Sequence, residues 1–433
     1  MKQLQLKLSS LVDVKSHEIN ALLLSCLYFY LLLCGYYIIR PIRDEMVIAN
    51  GVDNIQWLLL LTMFVLLAIT PTFGWLTKNY RTRQFLSICT AFFACNLFIF
   101  YVFFSFDHRP IWVTRSFFVW VNVFNMFIVS LFWSFMNDIF NQFQAKRLFA
   151  FIAAGGTAGA LTGPIITNLL VDQFGLSTLL LISSIILSST IPIILMLSKL
   201  PTRNHEPISA QHFNNEALKG SVWGGLKLII RSRYLLGISA FIILYAFCIT
   251  FVQITQAHFI ESTYNDPIER TKLFSLIDLA VNSLTLLFQL FLTSRIIKWF
   301  GFTTTLLIVP IGITLGFALL AMSPLLVIMI LIEIFRRSGD YAIMKPVREM
   351  LFSVLSREEK YKAKNVIDTL VLRSGNATSA WIYAGIKSLG ASAATIASIS
   401  VVIAALWCWI SLWLGNQFQK KSKTNDVNSN DRS

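Results

Sequence analysis

Residues 20–39 read NALLLSCLYFYLLLCGYYII and contain no charged side chain. A helix of about 20 apolar residues is long enough to cross the hydrocarbon core of a bilayer. Similar runs recur along the 433-residue chain, in which 56% of the residues are hydrophobic and only 13% are charged. The alternation of apolar and polar residues that marks a β-barrel strand is not seen on this scale. The sequence therefore predicts an all-α, multi-pass membrane protein.

Twelve segments of the chain have the length and composition of transmembrane helices. They lie at residues 20–39, 56–75, 84–104, 111–136, 149–171, 177–198, 234–257, 273–293, 303–321, 324–344, 365–386 and 391–415. A polar segment divides them six and six. We therefore expect an N-terminal six-helix half at 1–198, a cytoplasmic linker at 199–233, a C-terminal six-helix half at 234–416 and a disordered cytoplasmic tail at 417–433.

Basic residues concentrate in alternate loops. Loops 76–83, 199–233, 294–302 and 345–364 and the tail from Lys420 are basic, whereas the loops between them are neutral or acidic. Because cytoplasmic loops carry the excess of Lys and Arg, this pattern predicts a protein of the cell inner membrane with both termini in the cytoplasm. The net charge of +14 is therefore a signal of topology, and we predict no binding of nucleic acid.

Two pairs of matching motifs indicate that the halves are repeats. Lys78 and Lys298 follow the second and eighth spans and lie 220 positions apart. Lys146 and Lys364 precede the fifth and eleventh spans and lie 218 positions apart. Two parallel six-helix repeats are the architecture of major facilitator transporters, which bind their substrate near the membrane midplane between the halves. We therefore predict twelve transmembrane helices in a major-facilitator-like fold of two six-helix pseudo-repeats.

Span five contains glycines at regular four-residue steps, at Gly155, Gly159 and Gly163. The segment lacks the GK[ST] ending of a phosphate-binding loop. Small residues at this spacing make a flat helix face, so we expect close packing against another helix.

Charged side chains cluster at the end of span one and in span ten, although a charge at the bilayer centre costs about 2.5–3.5 kcal/mol on insertion scales. The first cluster contains Arg40, Arg43 and Asp44, and the spacing of Arg40 and Asp44 allows an i, i+4 pair. The second cluster follows Glu333 and contains Arg336, Arg337, Asp340, Lys345, Arg348 and Glu349.

Both clusters admit two interpretations. Ion pairs, such as Glu333 with Arg337 or Arg336 with Asp340, would offset much of the cost of burial. Alternatively, the arginines contact a phosphate or carboxylate of the substrate, because the guanidinium fork suits oxyanions.

Three further charges lie inside predicted spans: Arg115 in span four, Asp278 in span eight and Arg373 in span eleven. Asn282 follows Asp278 by one helical turn. This pair could form a site for a coupling proton or cation, or a hydrogen bond between two helices.

Three motifs resemble those of the ATP/ADP translocase family of nucleotide exchangers, in particular its divergent bacterial branch. They are YIIRPIRDEM at 37–46, FWSFMND at 132–138 followed by AKRLF at 145–149, and KPVREM at 345–350. The resemblance implies that the charged transport residues of the family correspond to Arg43, Asp138 and Arg348, with Asn137 beside Asp138. The acidic residue that the family carries in span seven falls on Gln253.

We therefore interpret the protein as a transporter that moves nucleotides in ATP/ADP-type exchange, or another phosphorylated anion, by alternating access. The expected partners are this small anionic substrate and the lipid bilayer, and we expect the protein to act as a monomer without cofactor or metal. A proton-coupled major facilitator that exports or imports another metabolite or drug is the alternative, with Asp278 as its coupling residue. A non-transporting membrane scaffold is a further alternative. We do not expect an enzyme, because no histidine–acid dyad or metal-ligand spacing lies in the spans.

Overall fold

The computed structural model describes residues 18–79, 82–106, 110–199 and 222–430, which are helices joined by short connections, and none of these residues lies in a β-strand. The helices are α1 Ile19–Ala49, α2 Ile55–Asn79, α3 Thr82–Phe104, α4 Ile111–Ile139, α5 Gln142–Lys199, α6 Val222–Arg231, α7 Arg233–Thr263, α8 Pro267–Phe291, α9 Thr293–Met322, α10 Leu326–Gly339, α11 Lys345–Leu351, α12 Arg357–Val366, α13 Leu372–Ser388 and α14 Ala393–Asn430. Helix is found at all twelve predicted spans, so the predicted fold class is confirmed.

Within the described residues, nine helices are long and apolar enough by themselves to cross a membrane. Two structural features explain why nine such helices are found among the described residues, although the sequence predicts twelve spans. Helix α5 contains spans five and six, which are separated only by a break at Gly175. Spans ten and eleven are interrupted by π-helical segments at Asp340–Met344 and Ile367–Val371, which cut each span into shorter pieces.

Two glycines support the predicted repeat. Gly175 precedes span six with a φ of 71°, and Gly390 precedes span twelve with a φ of 83°. Residues with a side chain rarely adopt this left-handed conformation, so glycine is favoured at both breaks. The two positions lie 215 residues apart, close to the offset of the lysine motifs.

The chain divides into two compact units. Unit 1 comprises Met1–Asn50, Phe64–Ala210 and Tyr264–Asn282, and unit 2 comprises Gly51–Met63, Gln211–Thr263 and Ser283–Ser433. The units differ from the predicted sequence halves at two segments, since the first part of α2 belongs to unit 2 and the first part of α8 belongs to unit 1.

Unit 1 is organised around α1, which packs most extensively against α5. A Cβ atom built on Gly155 would lie 2.6 Å from the carbonyl oxygen of Cys26, and one on Gly163 would lie 2.8 Å from that of Cys34. Such distances leave no room for a side chain, so the prediction of a glycine face for close helix packing is confirmed.

In unit 2, α9 packs against α14, and α7 packs against α10, α13 and α14. The amphipathic helix α6 lies in the second part of the predicted linker and packs on α12, whereas residues 200–221 of the linker lie outside the described residues. Helix α14 continues to Asn430, although the sequence predicts a disordered tail from residue 417. No proline or glycine interrupts the chain between these two positions.

Candidate functional site

In unit 1, the end of α1 positions two of the predicted arginines. Arg43 donates hydrogen bonds to the Asp44 carboxylate from Nε at 3.0 Å and from Nη2 at 2.5 Å. Its Nη1 also contacts Asn122 Oδ1 on α4 at 3.4 Å. The nearest acid to Arg43 is therefore its chain neighbour, and Arg43 also links α1 to α4.

Arg40 lies against the first part of α8. Its Nε is 3.7 Å from Asp278 Oδ2, and Arg40 and Asp278 are only 8% and 1% exposed. The sequence predicts Asp44, one turn further along α1, as the partner of Arg40, whereas the structure brings it to an acid that lies 238 positions away. The guanidinium of Arg40 also lies 5.5 Å from the centre of the Tyr37 ring.

A second buried ion pair joins the same two helices. Arg270 Nη2 of α8 lies 3.1 Å from Glu45 Oε1 of α1. The two pairs have opposite polarity, since α1 supplies a cation at Arg40 and an anion at Glu45. This alternation favours one axial register of α8 on α1, because a shift of either helix would bring like charges together.

Asn282 makes the helix-to-helix hydrogen bond that the sequence allowed as one of two interpretations. Its Nδ2 donates to the carbonyl oxygen of Ala160 on α5 at 2.8 Å. Asp278, one turn earlier, faces Arg40. This geometry favours a structural or ion-pairing role for these two residues.

In unit 2, α10 carries the second predicted cluster, and its strongest contact is bidentate. Arg336 donates to both oxygens of Glu333, from Nε at 2.8 Å and from Nη2 at 2.7 Å. Arg337 Nε lies 3.9 Å from the same carboxylate. The predicted proximity of Glu333 to Arg337 is thus found, but the short hydrogen bonds come from Arg336.

Asp340 begins the π-helical segment that follows α10. Its Oδ1 accepts a hydrogen bond of 2.6 Å from the buried Tyr245 hydroxyl of α7. The sequence suggests Arg336 as the ion-pair partner of Asp340, and it contains no signal that identifies Tyr245 as the hydrogen-bond donor. The π segment also breaks the ideal helical register, so the face that Arg337 and Asp340 share does not continue unchanged to Arg348.

Arg348 on α11 lies beside an acid of the second π-helical segment. Its Nη2 is 3.7 Å from Asp368 Oδ1, and the two side chains are 14% and 29% exposed. Two further predicted residues flank this pair: Glu349 forms an ion pair with Lys364 of α12, and the Lys345 ammonium lies 4.1 Å from the centre of the Tyr341 ring.

The remaining predicted residues are dispersed. Arg115 is exposed near the start of α4, and Asn137 and Asp138 are exposed at its end. Gln253 on α7 and Arg373 on α13 are half-buried. Sequence reasoning missed the ion-pair partners Asp368 and Arg270 and the hydrogen-bond donor Tyr245. The signal that could have found Asp368 is its position inside predicted span eleven, five residues before Arg373.

Each unit thus buries several guanidinium groups together with carboxylates, and a guanidinium can bind phosphate or carboxylate through two parallel hydrogen bonds. A bundle of apolar helices with clustered charges inside its spans is the arrangement of a polytopic membrane transporter with a major-facilitator-like fold.

Solved structures share this fold. A variant of the nucleoside transporter NupG matches 93% of this chain and 100% of its own chain at 15% sequence identity, with a TM-score of 0.64. A bacterial homologue of the iron transporter ferroportin matches 93% of this chain and 100% of its own at 12% identity, with a TM-score of 0.63.

The chain belongs to the TLC ATP/ADP transporter family, whose sequence model matches residues 108–418. ADP,ATP carrier protein 1 of Chlamydia muridarum is 23% identical over 94% of this chain and 89% of the carrier. ADP,ATP carrier protein 4 of Rickettsia felis is 22% identical over 95% of this chain and 93% of the carrier. The family resemblance predicted from the three motifs is confirmed.

Proposed function

We propose that this protein exchanges nucleotides of the ATP/ADP type, or carries another phosphorylated anion, across a membrane by alternating access. The relatives named ADP,ATP carriers support a nucleotide as the substrate. The observation that carries the proposal is the set of arginines on α1, α10 and α11: Arg40, Arg336 and Arg337 are buried, and the side chain of Arg348 is only 14% exposed.

Arginine suits this substrate for two physical reasons. Its planar fork forms bidentate hydrogen bonds with phosphate oxygens. In addition, a charge interaction is stronger in the protein interior than in water, because the effective dielectric constant is lower. The carboxylates beside these arginines reduce the cost of burying them when no substrate is bound.

We further propose that the protein lies in a cell inner membrane, with both termini in the cytoplasm, and that one chain is sufficient for transport. The alternation of basic and neutral loops supports this orientation.

Uptake into liposomes tests the substrate. Liposomes that contain the purified protein and internal ATP should accumulate α-labelled nucleotide, and external unlabelled nucleotide should then chase the label out. No uptake of any nucleotide by correctly inserted protein would exclude nucleotides as the substrate and leave only another phosphorylated anion. If alkaline external medium abolished uptake, a proton-coupled mechanism would be favoured instead.

The Arg348→Gln variant tests the site. We expect nucleotide uptake to fall by at least about tenfold, because truncation of one partner of a buried charge pair costs about 2–5 kcal/mol. Arg295→Gln is the matched control, since Arg295 is exposed and the exchange removes the same charge. Wild-type uptake by Arg348→Gln at equal membrane abundance would exclude a role of Arg348 in substrate binding.

A further inference from the structure

The buried arginines differ in how closely an acid approaches them. Arg336 and Glu333 form two hydrogen bonds of 2.7 and 2.8 Å. By contrast, the nitrogen–oxygen distance is 3.7 Å for Arg40 with Asp278 in unit 1 and again 3.7 Å for Arg348 with Asp368 in unit 2. Hydrogen bonds of this type measure about 2.7–3.2 Å, so the latter two are ion pairs without a short hydrogen bond.

A loose pair has a different chemical consequence from a tight one. The carboxylate neutralises the guanidinium, but it does not fix the N–H groups, of which a guanidinium has five. At Arg348 the Nε makes no hydrogen bond to any of the described residues. Arg348 is therefore electrostatically compensated and still able to donate to an oxyanion.

Asp368 is well placed to release Arg348. It is the second residue of the π-helical segment Ile367–Val371, and its side chain is 29% exposed against 14% for that of Arg348, so the protein encloses the acid less completely than the arginine. The π-helix is rare, and its single-turn form inside an α-helix is frequently found at functional sites. Asp278 is more confined, since it is 1% exposed.

We propose that Asp368 is an internal counter-ion, which holds the charge of Arg348 while the transporter is empty and which the phosphate oxygens of the nucleotide displace. This inference rests on the proposed function, because it takes a phosphorylated anion as the ligand of Arg348.

The inference predicts that loss of the acid strengthens substrate binding. If Asp368 competes with phosphate, Asp368→Asn removes the competitor and a negative charge that repels the substrate. The KM for ATP should then fall by about three- to tenfold. If Asp368 only orients Arg348, the same substitution would misplace the guanidinium and raise KM.

The experiment compares ATP exchange by wild type, Asp368→Asn and Asp368→Glu in ATP-loaded liposomes, at equal amounts of inserted protein. Asp266→Asn is the matched control, because Asp266 is exposed and caps the start of α8, a task that asparagine also performs. A second readout is the increase in Tm that ATP gives to the purified protein, which should be larger for Asp368→Asn than for wild type.

Asp368→Glu keeps a carboxylate beside Arg348, so the KM of this variant for ATP should stay at or above the wild-type value. If Asp368→Asn does not insert into the membrane, Asp368→Glu is the variant that tests the inference. An unchanged or raised KM in Asp368→Asn, or a lowered KM in Asp368→Glu, would overturn the inference. If wild type takes up no nucleotide at all, the proposed function fails instead. The counter-ion role is then tested by the increase in Tm that inorganic pyrophosphate gives to the purified protein. This increase should again be larger for Asp368→Asn than for wild type.

Discussion

The packing of α5 on α1 makes a quantitative prediction for Gly155→Ala. The added Cβ would lie 2.6 Å from the carbonyl oxygen of Cys26, and all three of its nearest atoms belong to the Cys26 backbone. Close C–H···O contacts measure about 3.3 Å or more, so the two helices must separate locally by about 0.7 Å. A side-chain rotation cannot relieve the contact, because the partner is main chain.

A gap of about 0.5–1 Å loses a quarter to a half of each van der Waals contact, and overpacking typically costs about 1–3 kcal/mol. Alanine recovers up to about 1 kcal/mol through its higher helix propensity. We therefore expect a net loss of about 1–2 kcal/mol. At about 2–4 °C per kcal/mol for a unit of roughly 200 residues, Tm should fall by about 2–8 °C.

Thermal unfolding of the purified protein, followed by tryptophan fluorescence in one detergent, measures this shift. Gly385→Ala is the matched control, since Gly385 lies in the helix α13 and a Cβ there would have no neighbour within 4 Å. Its Tm should stay the same or rise, because alanine stabilises an unhindered helix position. If both variants shifted Tm equally, the close approach of α1 and α5 would not be the cause.

Two further predictions concern the buried polar groups of unit 2. Glu333→Gln leaves Arg336 and Arg337 without their shared carboxylate and should destabilise the protein by about 3–5 kcal/mol. Glu333→Leu combined with Arg336→Leu removes both members of the bidentate pair and should recover part of this loss. The Tm values of wild type and of these two variants test this, and a double variant as unstable as Glu333→Gln would contradict it. Tyr245→Phe removes the hydrogen bond to Asp340 and should cost about 1–3 kcal/mol, which a Tm within error of wild type would refute.

The sequence predicts those features that depend on residues close together in the chain. The membrane spans follow from apolar runs, and the packing face follows from Gly155, Gly159 and Gly163 at helical spacing. Both rest on periodicity along one helix, which is visible without knowledge of the fold.

The ion-pair partners that lie on a different helix could not be predicted in this way. The i, i+4 rule compares residues of one helix only, and it therefore proposed Asp44 for Arg40 and Asp340 for Arg336. The structure brings Arg40 to Asp278 across 238 positions of the chain. The π-helical segments were equally hidden, because a wide turn reflects tertiary packing and has no composition of its own.

The interruption of spans ten and eleven is informative about function. These are the two spans that, among the described residues, do not qualify as membrane helices by length and apolar character, and each contains a π-helical segment. Span ten also carries Arg337 and Asp340, span eleven carries Asp368, and Arg348 lies on the short helix α11 between them. Polar groups in a span are costly, and they are retained mainly where a solute pathway needs them. We therefore propose that the two segments whose membrane-spanning character these side chains weaken are the part of unit 2 that handles the anion.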